Sequence, residues 1–299
     1  MSKLLKAGVV GSGVFGGYHT QKYAQLVDTA LTGVFDIDPA RCQAMAAQND
    51  TRAFDSLADL LEACDIVTIA SPATTHAAAA LQALKAGRGV YVEKPLATTL
   101  DDADRLLAEA ARQGAVLACG HQERVVSRAM GLLDIPERPL RLEAVRRGTP
   151  SERSRDVSVA LDLMIHDIDL ALSLTRAEPF TVEGEGDSDA LDAEASFDDG
   201  FTAVFQAARN AQARERTMRI VYPSGVLEID FITREFRNGT PFALNADFAE
   251  TPAGKDPLGT SVQGFVDAVL GRTERPVVTG EEAAKALDLA LAVEQAAGV

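Results

Sequence analysis

Two rhythms of apolar and polar residues divide this chain. Over residues 1–120, short apolar runs alternate with longer amphipathic stretches, the pattern of a parallel sheet with helices on both faces. Ala7-Gly8-Val9-Val10 reads as a short buried strand and the residues after Gly16 as a helix. Leu31–Phe35 is the second strand, after which Asp38-Pro39 supplies a helix N-cap and a proline at the first helical position. Ile66–Ala70 is a further buried strand, and Thr74 or Thr75 can cap the alanine-rich helix that ends near Gly87. Gly89–Val92 leads into Glu93-Lys94-Pro95, Asp101–Gln113 forms a helix closed by Gly114, and Val116–Cys119 is the last strand of this part.

After His121 the texture changes. A helix is expected from Glu123 to about Leu133, a strand over Leu140–Val145, and a helix within Val157–Leu174. From Phe180 to Phe236, short alternating segments separated by turn residues fit an antiparallel sheet, with Phe201–Phe205, Met218–Tyr222 and Val226–Asp230 as its clearest strands. Two closing helices follow, over 261–270 and 281–296. At 299 residues the chain suits two cores better than one. The expected fold class is α/β: a doubly wound parallel sheet over 1–120, then an α+β domain over 121–299 that includes both closing helices.

Composition narrows the function classes. The 46% hydrophobic and 24% charged content is that of an ordinary globular protein. The start runs straight into a strand-like stretch, with no signal-peptide pattern. No apolar run approaches the roughly 20 residues that cross a bilayer. Cys42, Cys64 and Cys119 are few and scattered, which speaks against a disulfide framework or a zinc site. These features predict a cytoplasmic protein without a metal. A net charge of −15 argues against nucleic acid or anionic membrane as partner. One stretch departs from it: Arg138, Arg141, Arg146, Arg147, Arg153 and Arg155 lie against only Glu137, Glu143 and Glu152. It reads either as a solvated strand edge or as an anion site for a phosphorylated or carboxylated substrate.

Three motifs carry chemistry. Gly11-Ser12-Gly13-Val14-Phe15-Gly16 follows a strand and opens a helix, as a dinucleotide loop requires. Gly11 allows the turn, Gly13 lets backbone approach a pyrophosphate, and Gly16 permits close helix packing. Asp36, about 20 residues beyond, can accept hydrogen bonds from both adenosine ribose hydroxyls and would repel a 2′-phosphate, which favours NAD over NADP. Lys94 stands at the carboxyl end of a parallel strand, where it can stabilise alkoxide character as hydride leaves a carbinol carbon. Asp162 and His166, at i and i+4 of one helix, can position a hydroxyl and take its proton. A helix N-terminal acid and a core histidine would fit that pair too. Ser71 and His76 border the expected cofactor, though capping or packing suits His76 equally well. His121 and Arg124 stand at the entry to the second domain as candidates for touching substrate, with Arg147 from the arginine run. His19 reads as structural, and Asp167 and Asp169 as facing solvent or the domain interface.

The glycine loop, Glu93-Lys94-Pro95 and Asp162-x-x-x-His166, in this order, resemble the glucose–fructose oxidoreductase/inositol dehydrogenase (Gfo/Idh/MocA) family over nearly the whole chain. The resemblance implies a Rossmann domain followed by a domain with a large open sheet, one face of which commonly serves as an oligomer interface. A homodimer or homotetramer would follow. It implies NAD(P)-dependent oxidation or reduction of a sugar or cyclitol, with Lys94, Asp162 and His166 as the catalytic set. Gly120-His121-x-Glu123-Arg124 and Leu161–Asp167 are similar to members acting on nucleotide sugars, such as those that oxidise UDP-N-acetylglucosamine at its 3-position. Val125-Val126-Ser127-Arg128 departs from the Phe-Asn-Pro expected there. A free sugar or inositol dehydrogenase, and a non-catalytic NAD(H)-binding sensor, are the alternatives.

Overall fold

The computed structural model describes residues 4–150, 155–175 and 177–299. Two compact units account for the chain: Met1–Gly120 with Leu258–Ala284, and His121–Pro257 with Lys285–Val299.

The first unit alternates strand and helix: β1 (Leu5–Val10), α1 (Val14–Gln25), β2 (Thr29–Phe35), α2 (Pro39–Gln48), β3 (Arg52–Ala53), α3 (Leu57–Ala63), β4 (Ile66–Ile69), α4 (His76–Lys85), β5 (Gly89–Glu93), α5 (Leu100–Gln113) and β6 (Leu117–Gly120). Its six strands are parallel, in the order β3-β2-β1-β4-β5-β6. The order turns back on either side of β1, and in such sheets ligands bind beyond the carboxyl ends of the strands at that reversal. The strands can be almost wholly apolar because both faces are covered, and β4 is buried at every position. Asp38 caps α2 as expected, accepting from the backbone of Ala40 and Arg41. Thr75 does not cap α4; its hydroxyl donates to the Pro72 carbonyl.

The second unit opens with α6 (Gln122–Met130), which stops three residues earlier than expected because Gly131 takes a left-handed conformation. Then come β7 (Arg141–Arg147), α7 (Ile165–Leu174), β8 (Pro179–Asp187), β9 (Ala190–Phe197), β10 (Thr202–Ala208), β11 (Glu215–Tyr222), β12 (Gly225–Asp230), β13 (Glu235–Asn238) and the short α8 (Pro252–Lys255). The sheet order is β13-β12-β11-β7-β10-β9-β8. Here β7 and β10 run parallel, and the other neighbouring pairs are antiparallel. Burial alternates along β7: Leu142, Ala144 and Arg146 face the packed side, whereas Arg141, Glu143, Val145 and Arg147 face the other.

Two helices close the chain, α9 (Pro257–Val269) and α10 (Gly280–Ala297). The expected assignment of all of 121–299 to one domain is not how the core divides. Val262, Phe265 and Val266 of α9 are buried in one cluster with Val9, Ile66, Tyr91 and Ala118, and Tyr91 bonds Ser261 through its hydroxyl. The apolar stripe of α9 finds its partner on the parallel sheet.

Candidate active site

The chemistry-bearing residues form two groups, one in each unit. In the first, the β1–α1 loop supplies the glycines. Gly11 has φ +99°, and a Cβ there would sit 2.6 Å from the Ala70 carbonyl oxygen. A Cβ on Gly16 would lie 1.7 Å from the Gly11 oxygen, so both glycines are demanded by the fold itself. Gly13 is different, since a Cβ there would meet nothing. Its bare surface is of use only to something outside the chain. The Ser12 hydroxyl is buried with no partner among the described residues, and Gly13 caps α1 without a side chain. An unpaired hydroxyl and an uncovered glycine at a helix N-terminus fit a dinucleotide pyrophosphate. Val14 is exposed, and Phe15 stacks edge-on against Tyr18.

Asp36, just past β2, shapes this loop. One carboxylate oxygen accepts the Ser12 N–H at 2.6 Å and the other the Asp38 N–H at 2.9 Å. A carboxylate has about four lone-pair sites, so each oxygen keeps one for a ribose hydroxyl. The carboxylate is half-buried, and a 2′-phosphate would meet its charge.

Glu93 and His76 turn inward. Glu93 Oε1 lies 2.7 Å from His19 Nε2, and Thr68 extends the contact to Tyr23. Burial opposes ionisation of Glu93, but His19 outweighs it and holds the carboxyl below its ordinary range. Gly120 has to be bare, because a Cβ would come within 2.9 Å of that carboxylate. His76 is buried, its ring nitrogens 2.8 Å from the carbonyls of Pro95 and Ser71, and burial lowers its pKa. It thus ties the segment after β4 to the segment after β5. Packing, the alternative expected for His76, is what these contacts show. Lys94 itself is half-buried, and its bond to Pro95 is cis.

In the second unit, Asp162 and His166 straddle a change of helical pitch. Ala160–Met164 forms a π-helical turn that passes into α7, a feature common at functional sites. His166 Nδ1 lies 3.0 Å from Glu123 Oε2, within ion-pair distance, but without the geometry of a hydrogen bond. Glu123 Oε1 accepts from Arg146 Nη1 at 2.8 Å, and Arg146 Nε and Nη2 each donate at 2.8 Å to Asp167. Burial opposes ionisation of Glu123, but His166 and Arg146 outweigh it and hold the carboxyl well below its ordinary range. His121 is wholly buried, edge-on to His166 with centroids 5.9 Å apart. Its ring nitrogens have no hydrogen-bond partner among the described residues, and burial pushes it down to about 4.

Of the two expectations for Asp167 and Asp169, solvent or the domain interface, solvent is excluded: both are buried, Asp167 on Arg146 and Asp169 in a two-pronged pair with Arg124. Arg124 is thus buried with its Nε and Nη2 on Asp169. Among the described residues the arginine run does not assemble one anion site. Arg141 pairs with Glu143 and Glu194, Arg138 with Asp199, and Arg147 with Glu215 on the face opposite Arg146. Arg155 is exposed, and Arg153 and Glu152 lie outside the described residues. Glu123 was the residue without a forecast role, and Arg146 at a core-facing strand position was its signal. A buried guanidinium requires carboxylates nearby.

Comparison with known proteins accords with this geometry. Residues 5–121 match the Gfo/Idh/MocA model, described as an oxidoreductase family with an NAD-binding Rossmann fold. The chain is 35% identical to the UDP-N-acetylglucosamine 3-dehydrogenase of Acidithiobacillus ferrooxidans, over 97% of each protein. A solved structure of that enzyme superposes with a TM-score of 0.90 at 33% identity, covering 98% of both chains. Inositol 2-dehydrogenase 3 of Saccharopolyspora erythraea is 31% identical over 55% of this chain and 52% of its own. The WlbA dehydrogenase of Bordetella pertussis, solved with NADH and UDP-GlcNAcA, shares the fold at 20% identity, covering 100% of this chain and 97% of its own, with a TM-score of 0.85. The chain belongs to the Gfo/Idh/MocA family of NAD-binding oxidoreductases.

Proposed function

We propose that this chain oxidises a secondary alcohol of a nucleotide sugar with NAD, its substrate being UDP-N-acetylglucosamine and the reacting carbon C3. The observation that carries the substrate class is similarity to a UDP-N-acetylglucosamine 3-dehydrogenase over 97% of both chains. The similarity to inositol dehydrogenases covers little more than half of each, so a free polyol is the second reading.

In this reading residues 1–120 bind the dinucleotide and the second unit binds the sugar. The glycine loop and Ser12 hold the pyrophosphate, and Asp36 holds the adenosine ribose and selects NAD over NADP. NAD, when bound, supplies the hydride acceptor. Lys94 donates a hydrogen bond to the carbinol oxygen and stabilises its growing negative charge. His166 takes the hydroxyl proton, while Asp162 orients the sugar through a hydrogen bond. The C–H bond breaks as hydride leaves, the C=O bond forms, and the imidazolium returns its proton to water. Arg216 suits the diphosphate better than the arginines first considered. It stands opposite Arg146 in the β7–β11 register, exposed, and among the described residues it lies within ion-pair distance of no carboxylate.

Self-association through the unpacked face of the seven-stranded sheet, as a homodimer or homotetramer, is part of the same reading. So is a cytoplasmic location. Among the described residues no helix is long and apolar enough to cross a membrane, and the three cysteines are buried free thiols.

The test is NADH formation at 340 nm with UDP-N-acetylglucosamine, beside a panel of free sugars and inositols. A carbonyl trap is included because alcohol oxidation by NAD is uphill. Activity on the nucleotide sugar alone is expected; activity on free polyols alone would overturn the substrate assignment.

A further inference from the structure

We propose that Glu123 is the positioning residue for His166: it fixes the ring proton on Nδ1, leaving Nε2 to exchange the substrate proton, while Arg146 and Asp167 hold Glu123 in place as an anion. This rests on His166 being the acid/base and adds the group that sets its tautomer and basicity.

An ionised carboxylate only accepts hydrogen bonds. With Glu123 Oε2 3.0 Å from Nδ1, the neutral ring gains by carrying its proton there and loses by turning a lone pair to the oxygen. The hydrogen bond forms when the ring turns to aim that N–H at the oxygen. Nε2 is then the basic nitrogen, as the partner of one ring nitrogen decides the role of the other. Taking a substrate proton makes an imidazolium, whose charge Glu123 stabilises.

Arg146 keeps Glu123 available. Its guanidinium donates through Nε and Nη2 to Asp167 and through Nη1 to Glu123, and its side chain is 2% exposed. This fork locks the carboxylate rotamer and disfavours its protonation. Around His166, Glu123 and Asp167 bring two negative charges and Arg146 one positive, all largely buried. Arg216 adds a second positive charge that acts on Glu123 and Asp167, Arg124 and Asp169 pair with each other, His121 is neutral near pH 7, and Asp162 shares the helix. The carboxylate that faces the ring nitrogen is therefore the group that stabilises the imidazolium.

The chain has four histidines, so selective 15N-imidazole labelling of the whole protein resolves them by NMR, with His166→Gln identifying the signal. In the parent protein the neutral His166 ring should show the Nδ1–H pattern. In Glu123→Gln its titration midpoint should fall by about one pH unit, in protein whose amide spectrum shows it folded, while the thermal midpoint drops by several degrees because Arg146 loses a partner. In Glu123→Asp, which retains the charge, the midpoint should remain near that of the parent. Turnover of UDP-N-acetylglucosamine should fall at least about tenfold in Glu123→Gln, with KM for NAD unchanged. The acid limb of kcat/KM should move to lower pH with the NMR midpoint.

An Nε2–H tautomer in the parent, or an unmoved midpoint in Glu123→Gln, would overturn the proposal. The wider reading fails separately. If His166→Gln retains full turnover, His166 is not the acid/base, whatever its NMR titration shows.

Discussion

His166 Nδ1 lies 3.0 Å from Glu123 Oε2, and the other oxygen of that carboxylate binds Arg146 at 2.8 Å. One carboxylate therefore links a titrating ring to a permanent cation. The cation's remaining donors go to Asp167, the residue next to His166 in sequence. The carboxylate facing the ring and the carboxylate next to His166 in sequence are thus held by the same guanidinium.

Breaking that fork should unfold the second unit before it touches cofactor binding. Asp167→Asn leaves Arg146 buried with half its pairing. Removing one partner of a buried pair costs about 3–5 kcal/mol, so the thermal midpoint should drop by several degrees, read by calorimetry, while NADH still binds the folded protein.

Lys94→Ala should separate binding from chemistry. Its ammonium is assigned to the alkoxide, so turnover should fall by about 10²–10⁴-fold. NADH binding, followed by nicotinamide fluorescence, should change little. Full turnover in this variant would remove Lys94 from the catalytic set.

The loop glycines should behave oppositely. Gly16→Ala drives a methyl into the Gly11 carbonyl and should destabilise the apo protein. Gly13→Ala meets no protein atom, so its thermal midpoint should match the parent while NAD affinity falls. Equal NAD affinity would show that no phosphate approaches Gly13.

Asp36→Ser should weaken NAD by about 10- to 100-fold, the worth of a lost hydrogen bond to a charged group. Because the negative charge goes too, NADP should bind better than in the parent. Isothermal titration with both cofactors measures the crossover.

Acid sensitivity should have two windows. His121 is pushed down to about 4 against about 6.5 in the unfolded chain. Between those values the unfolded state binds the proton and the folded state does not, so stability falls on acidification. From pH 7 to pH 5 this loss is about 2 kcal/mol, and His121→Leu should remove it, measured by urea unfolding at both pH values. Glu93 and Glu123 act lower. Their folded-state carboxyls are held down, so the stability they contribute is present above the ordinary carboxylate range. It is lost as pH falls through their folded values.

The sequence by itself determined the alternation of strand and helix, the glycine loop with Asp36, and the place of Lys94 at a strand end. These depend on residues close in the chain and on periods that backbone geometry imposes, so a linear reading finds them. Asp162 and His166 were legible for the same reason, four residues apart on one helix. What tertiary structure alone decided was which charges meet. Arg146 and Arg147 are neighbours in sequence, yet the pleat sends one to Glu123 and Asp167 and the other to Glu215 on the opposite face. Asp169 reads in sequence as an acid facing solvent or the domain interface, and only the fold brings Arg124, 45 residues away, against it. Helix α9 likewise joined the first unit only through its packing on Tyr91 and Ile66. A buried charge is paid for by partners distant in the chain, and no local pattern names them.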